Sequence, residues 1–77
     1  MEKEFLISAG HALYGERWQT SLARDLGLSD ARRIRQWLAD ERPIPDGLRG
    51  DLISLLSKRK MLIDSTLFQI LDEVPKG

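Results

Sequence analysis

Apolar residues recur along this chain at helical spacing, and the breaks between the stripes divide it into short elements. Leu6, Ala9 and Leu13 line one face of a first helix over about residues 3–14, with Phe5 and Ala12 beside them, and Gly15 ends it. Leu22, Ala23 and Leu26 share a face of a second, short helix. Gly27 follows its last apolar residue, where a left-handed backbone costs glycine little, and Leu28 is then free to enter the core. Ala31, Ile34, Trp37 and Leu38 form a third stripe, predicting a helix at about residues 30–39. Its start is expected to be capped by the Ser29 hydroxyl, with Asp30 in the first turn. The run Asp40–Pro45 stops it, because each proline disfavours helical backbone at the residue before it, and Ile44 is expected to plug the core.

From about Asp46 the pattern is helical again. Leu48, Leu52, Leu55 and Leu56 make one stripe and Leu62, Ile63, Leu67, Ile70 and Leu71 a second, with Lys58, Arg59 and Lys60 between them. One helix over 47–73 would be about 40 Å long at roughly 1.5 Å per residue, longer than the preceding core. It either breaks near 57–60 and folds back as a fifth helix, or its end projects. No alternating strand pattern is present, so the expected class is all-α with four to five helices.

The outward side of the third helix carries the chemistry. With Ile34 inward, a step of about 100° per residue turns Ser29, Arg32 and Gln36 outward, flanked by Arg33 and Arg35. Arginine can grip guanine, and glutamine adenine, through paired hydrogen bonds. Two short helices joined at a glycine, the second presenting such a face, make a helix-turn-helix. Arg17, Gln19 and Thr20 lie at the start of the second helix, where a phosphate would meet backbone NH groups, an amide and a guanidinium together; Arg42 is placed to meet phosphates beside the third helix. The bland alternatives are a solvated face with Asp30–Arg33 and Gln36–Asp40 pairs, and Gln19 as a cap. Trp18 and Trp37 read as structural, packed at helix corners.

Gln19-Thr20, Leu22-Ala23, Leu26-Gly27-Leu28-Ser29 and Ile34 to Leu38 resemble the helix-turn-helix of the lambda-repressor/Cro-type DNA-binding family, and the trailing WLADERPIP resembles the run that follows the recognition helix in many phage and bacterial members. The resemblance covers roughly Leu6 to Leu56. It implies a phage or prophage regulator whose recognition helix is the third. One departure is that the chain is one residue longer than the usual pattern between Ala23 and Ile34, which the turn or the start of the third helix must absorb.

The 77 residues carry 12 basic and 12 acidic side chains, a net charge of zero, whereas a basic balance is the usual footprint of a DNA binder. Distribution changes this picture: residues 17–60 carry +4 and the two ends together −4. Phosphates respond to a local basic face within a Debye length of roughly 8 Å. There is no cysteine and a single histidine, His11, so neither disulfide nor zinc site is expected. No apolar run reaches a membrane span, and MEKEFL lacks the core of a signal peptide, which points to a cytoplasmic, nucleoid-associated protein. No nucleophile has a histidine near it in the chain, and the glycines are too scattered to form a phosphate loop, so enzymatic activity, cofactors and small-molecule ligands are not expected.

Residues 1–60 thus read as a helix-turn-helix domain and 61–77 as a helical dimerisation segment and tail. Leu62, Ile63, Leu67, Phe68, Ile70 and Leu71 are too many large apolar groups to leave wet, and the natural partner is a second copy. The expected function is a dimeric, sequence-specific transcriptional regulator reading a near-palindromic operator, since a neutral total predicts modest non-specific affinity and a need for dimerisation; the expected sign is repression. The alternative is a helical interaction module, adaptor- or antitoxin-like, that keeps the fold and no longer binds DNA.

Overall fold

The stripes and stops of the sequence produce four helices in the computed structural model, which describes residues 1–75. They are α1 (Lys3–Tyr14), α2 (Trp18–Asp25), α3 (Arg32–Leu38) and α4 (Gly47–Asp72), and the described residues contain no strand. The fold is all-α. Leu6 and Ala9 of α1, Trp18, Leu22 and Ala23 of α2, Ile34 and Trp37 of α3, and Leu48 and Leu52 of α4 meet in one core. Leu6, Leu22 and Ile34 are its largest fully buried side chains, each worth about 1.5–3 kcal/mol of transfer free energy. Leu28 and Ile44 are half-buried and pack against this core from the two loops. Phe5 and Ala12, expected beside the inner face of α1, are exposed: they lie off the Leu6–Ala9–Leu13 stripe and no helix covers them.

The α1–α2 contact rests on one close approach. A Cβ built on Gly10 would stand 2.2 Å from Cδ2 and Cε3 of Trp18. Only glycine leaves room there for the indole, which is 3% exposed. Polar ties join the elements around the rim. Lys3 donates to the Asp40 carboxylate at 2.8 Å and to the Leu38 carbonyl at 3.4 Å, fastening the start of α1 to the end of α3. Tyr14 donates its hydroxyl proton to Asp25 at the end of α2, and the Arg59 guanidinium of α4 stands 5.9 Å from the Tyr14 ring centre.

The alternatives for the C-terminal segment are resolved in favour of one helix. α4 runs 26 residues without a break, through Lys58–Lys60 and across residue 60, where a domain boundary was expected. No proline or glycine interrupts it after Gly50, and Lys60 pairs with Asp64 one turn on at 2.9 Å. Among the described residues there is no fold-back and no fifth helix. Its second half leaves the core, giving extents of 57 × 21 × 21 Å. Leu62, Ile63, Leu67, Phe68, Ile70 and Leu71 stand 52–74% exposed along it. The tail residues 76 and 77 lie outside the described residues.

Two stability outcomes are expected. Gly10→Ala raises helix propensity but drives a methyl into the Trp18 ring, so it destabilises by about 1–3 kcal/mol. Gly50→Ala in α4 meets nothing within 4 Å and stabilises by up to about 1 kcal/mol; urea denaturation of both variants reads the difference. The second concerns Tyr14. Desolvation, then the hydrogen bond and charge of Asp25, push its phenol up to about 12 from 10.0. Below pH 10 it is protonated in both folded and unfolded chains. Above that the unfolded chain loses its proton first, so stability falls until about pH 12. The near-ultraviolet absorbance of the single tyrosine tracks this titration, and Tyr14→Phe removes that part of the alkaline slope.

Candidate nucleic-acid interface

Between α2 and α3 the chain must reverse within residues 26–31, and glycine makes the reversal. Gly27 has φ +78°. The Leu28 NH donates to the Ala23 carbonyl at 2.8 Å and the Gly27 NH to that of Arg24 at 3.1 Å. These two bonds close the end of α2 as a Schellman motif, with the left-handed residue where only glycine is unstrained. The following residue, Leu28, turns back onto the core.

The third helix, α3, begins at Arg32 rather than near residue 30. Ser29 does not cap it: the residue before α3 is Ala31, and no side chain caps the helix there. Instead Asp30, still in the loop, accepts the Arg32 NH on Oδ1 at 2.8 Å. A carboxylate here also suits the positive end of the helix. The expected Asp30–Arg33 and Gln36–Asp40 pairs do not form; Asp40 is held by Lys3.

α3 ends on a second Schellman motif, with aspartate in the position glycine usually takes. Asp40 has φ +60°, its NH donates to the Trp37 carbonyl at 3.3 Å, and the Glu41 NH donates to that of Gln36 at 2.9 Å. The Arg42 NH also reaches the Gln36 carbonyl, at 3.3 Å. This double use of one carbonyl folds the chain back so that Arg42 lies beside α3.

The two reversals frame one open concavity of about 510 Å³. Of the residues singled out in the sequence, Ser29, Arg32, Arg33, Gln36 and Arg42 line it, together with Gly27, Leu28 and Asp30. Arg32, Arg33 and Arg42 are exposed and Gln36 is half-buried. Arg17, Gln19, Thr20 and Arg35 do not line it. Arg35 lies about 200° around the helix from Arg33, at roughly 100° per residue, and so flanks the opposite side. Arg17 immediately precedes α2, whose first turn has no side-chain cap, so Gln19 is not a capping residue.

The electrostatics of the concavity are one-sided. Three guanidinium groups share it with one carboxylate. Among the described residues, ion pairs within 4.0 Å are Lys3–Asp40, Arg24–Asp25 and Lys60–Asp64, so Arg17, Arg32, Arg33, Arg35 and Arg42 have no carboxylate partner at that distance. Each keeps its donors for an outside acceptor. Of the basic triplet, Arg59 is placed on Tyr14 and Lys60 on Asp64, away from this surface. The described residues hold no group of three potential metal ligands, and none of their helices is long and apolar enough to cross a membrane.

Sequence reasoning missed Asp30 as the residue that sets the start of α3, and Asp40 as the one that turns Arg42 back. The signal for both was an acidic residue beside a helix end, since Asp accepts backbone NH groups and tolerates the left-handed region better than most. No family model, no curated protein and no solved structure matches the chain.

Gly27→Ala tests the turn that shapes the site. A Cβ at residue 27 meets nothing within 4 Å, so its cost is the left-handed backbone alone, about 1–2 kcal/mol. Gly27→Asn should lose less, and thermal melts followed by circular dichroism rank the two.

Proposed function

We propose that the chain is a sequence-specific DNA-binding regulator of the lambda-repressor/Cro type, acting as a homodimer on a near-palindromic operator. The observation that carries this reading is the concavity with three unpaired arginines and Gln36 on the outward side of a short helix. In it α2, the turn at Gly27 and α3 act as a helix-turn-helix, with α3 as the recognition helix.

The dimensions and chemistry fit. A helix with its side chains is about 10–12 Å across, and the major groove of B-DNA is about 12 Å wide. Arg32 and Gln36 are the outermost groups of α3 and read base edges; Arg33 and Arg35, on its two flanks, reach the groove walls. Arg42 meets the backbone beside α3, and Arg17, Gln19 and Thr20 meet a phosphate at the uncapped start of α2. Ser29 lies at the mouth of the concavity, within reach of either. The net charge of zero keeps non-specific affinity low, so two half-sites read together supply the affinity that one copy lacks. The exposed apolar half of α4, with Leu62, Ile63, Leu67, Phe68, Ile70 and Leu71, is the means of pairing. Such a protein works in the cytoplasm at the nucleoid and represses when its operator overlaps a promoter.

The same apolar half of α4 and the neutral total charge also suit a helical adaptor that does not touch DNA. The two readings differ in one measurement. Fluorescence anisotropy against the DNA upstream of its own gene and a pool of genomic fragments should give tight binding that weakens steeply with salt. Arg32→Ala or Arg33→Ala is expected to cost about 1–3 kcal/mol on the preferred site if that side chain reads a guanine, with less loss on random DNA. A phosphate-only arginine weakens all sequences alike and flattens the salt slope. Salt-independent, negligible binding by the wild-type chain leaves the adaptor as the function.

A further inference from the structure

A groove of about 550 Å³ runs between α1 and the first half of α4, on the molecule's own core domain and away from the arginine concavity. Its walls are Met1, Phe5, Ala12, Ile53 and Leu56, with Arg49 at one end. Phe5 is 62% and Ile53 47% exposed, so the groove presents an apolar surface. The projecting half of α4 carries an exposed apolar ridge. Helical spacing puts Ile63, Leu67 and Ile70 in one row, and that row continues Ile53 and Leu56 along the same side of the helix.

We infer that the groove is filled by a second copy of this chain, set antiparallel, with the Ile63–Leu67–Ile70 row of each copy lying in the α1–α4 groove of the other. The inference rests on the dimer part of the reading above and supplies its interface; it does not depend on DNA binding. In this register Leu67 of one copy meets Leu56 of the other, Ile70 meets Ile53, and Ile63 lies beside Lys60 near the twofold axis.

Charge selects this arrangement. The projecting segment carries Asp64, Asp72 and Glu73 and, within the described residues 61–75, no Lys or Arg. Antiparallel pairing brings the acidic tip of one copy, Asp72 and Glu73, to the level of residues 49–51 of the other, where Arg49 stands on the groove and Asp51 on another side of α4. Parallel pairing sets the two acidic ends side by side, which costs interaction energy. The same acidic character turns the ridge away from anionic lipid, which attracts basic amphipathic helices. Area supports it too. Met1, Phe5, Ile53, Leu56, Ile63, Leu67 and Ile70, each offering roughly 80–100 Å², supply about 560–700 Å² per partner, most of the approximately 800 Å² of a standard stable interface. Because each copy gives both ridge and groove, the contact closes as a twofold dimer and leaves no free end for a filament.

The cysteine-free chain makes the test direct. Sedimentation equilibrium of the full chain should show a monomer–dimer equilibrium. Phe5→Glu and Leu67→Asp should each raise its dissociation constant about ten-fold or more, with helical content unchanged because both side chains are exposed. Ile53→Cys and Ile70→Cys, made as separate single variants, are then oxidised alone and mixed. Positions 53 and 70 are about 25 Å apart on one helix, at roughly 1.5 Å per residue, too far for a disulfide within a chain. The mixture should form a disulfide-linked heterodimer and neither variant alone should. Self-crosslinking of Ile70→Cys means parallel tips and overturns the proposal. So does a monomer at all concentrations, an open series of larger assemblies, or a dimer whose mixed variants do not crosslink. Failure of the DNA reading would leave all of these results unchanged, and loss of the dimer would leave the single-copy arginine surface to be assayed on its own.

Discussion

The packing of Trp18 against Gly10 is the constraint on which the remaining structure depends. The indole occupies the space a side chain at residue 10 would need, and so sets how closely α1 and α2 approach. α2 positioned in this way holds Leu22 and Ala23 against Ile34, and Ile34 orients α3. A small helical domain has few core residues to share this task. Eleven buried apolar side chains define the core here, so displacement of one helix is felt by the others.

The surface on α3 follows from this core rather than from local preference. Burying Ile34 and Trp37 fixes the rotation of the helix, and that rotation exposes Arg32 and leaves Gln36 half-buried on the same outer side. The two helix ends then decide what surrounds them. Gly27 sends the chain to Leu28 in the core, and Asp40 sends it back so that Arg42 joins Arg32 and Arg33. Lys3 neutralises Asp40 from α1, and Asp40 in turn raises the Lys3 ammonium above its ordinary value, through their hydrogen bond first and their charges second. The acidic group nearest the end of α3 is thus occupied within the fold. This leaves the arginine surface positive although the chain as a whole is neutral.

The neutral total and the long helix belong to one design. A surface with only local positive charge binds polyanions weakly as a single copy, and coupling two copies raises the effective concentration of the second surface after the first has bound. The exposed half of α4 offers the apolar area for such coupling at a distance from the arginines. On the proposed reading, recognition and pairing use different regions of the molecule and can be altered separately.

Much of this was legible in the residues. The apolar stripes marked α1, the burial of Ile34 and both tryptophans, and the reversal at Gly27, because helix periodicity and left-handed glycine are properties of a few neighbouring residues. The outward placement of Arg32 and Gln36 followed from the same periodicity. What the sequence left open was decided by contacts between distant segments. Ser29 and Asp30 are both able to cap a helix, and the choice of Asp30 depends on where the loop delivers α3. Arg33 and Arg35 look alike in the chain, but only Arg33 faces the side to which Arg42 returns. Gly10 reads as a weak point of a helix until Trp18 is placed beside it. The basic triplet gave no sign of its roles, since Arg59 takes its place from Tyr14, far away in the chain. The continuity of α4 was undecided because helix propensity favoured extension while apolar residues favoured folding back. Local sequence specified the helices and their faces; tertiary packing selected which faces meet, because that choice depends on the shape of the surfaces each helix finds opposite it.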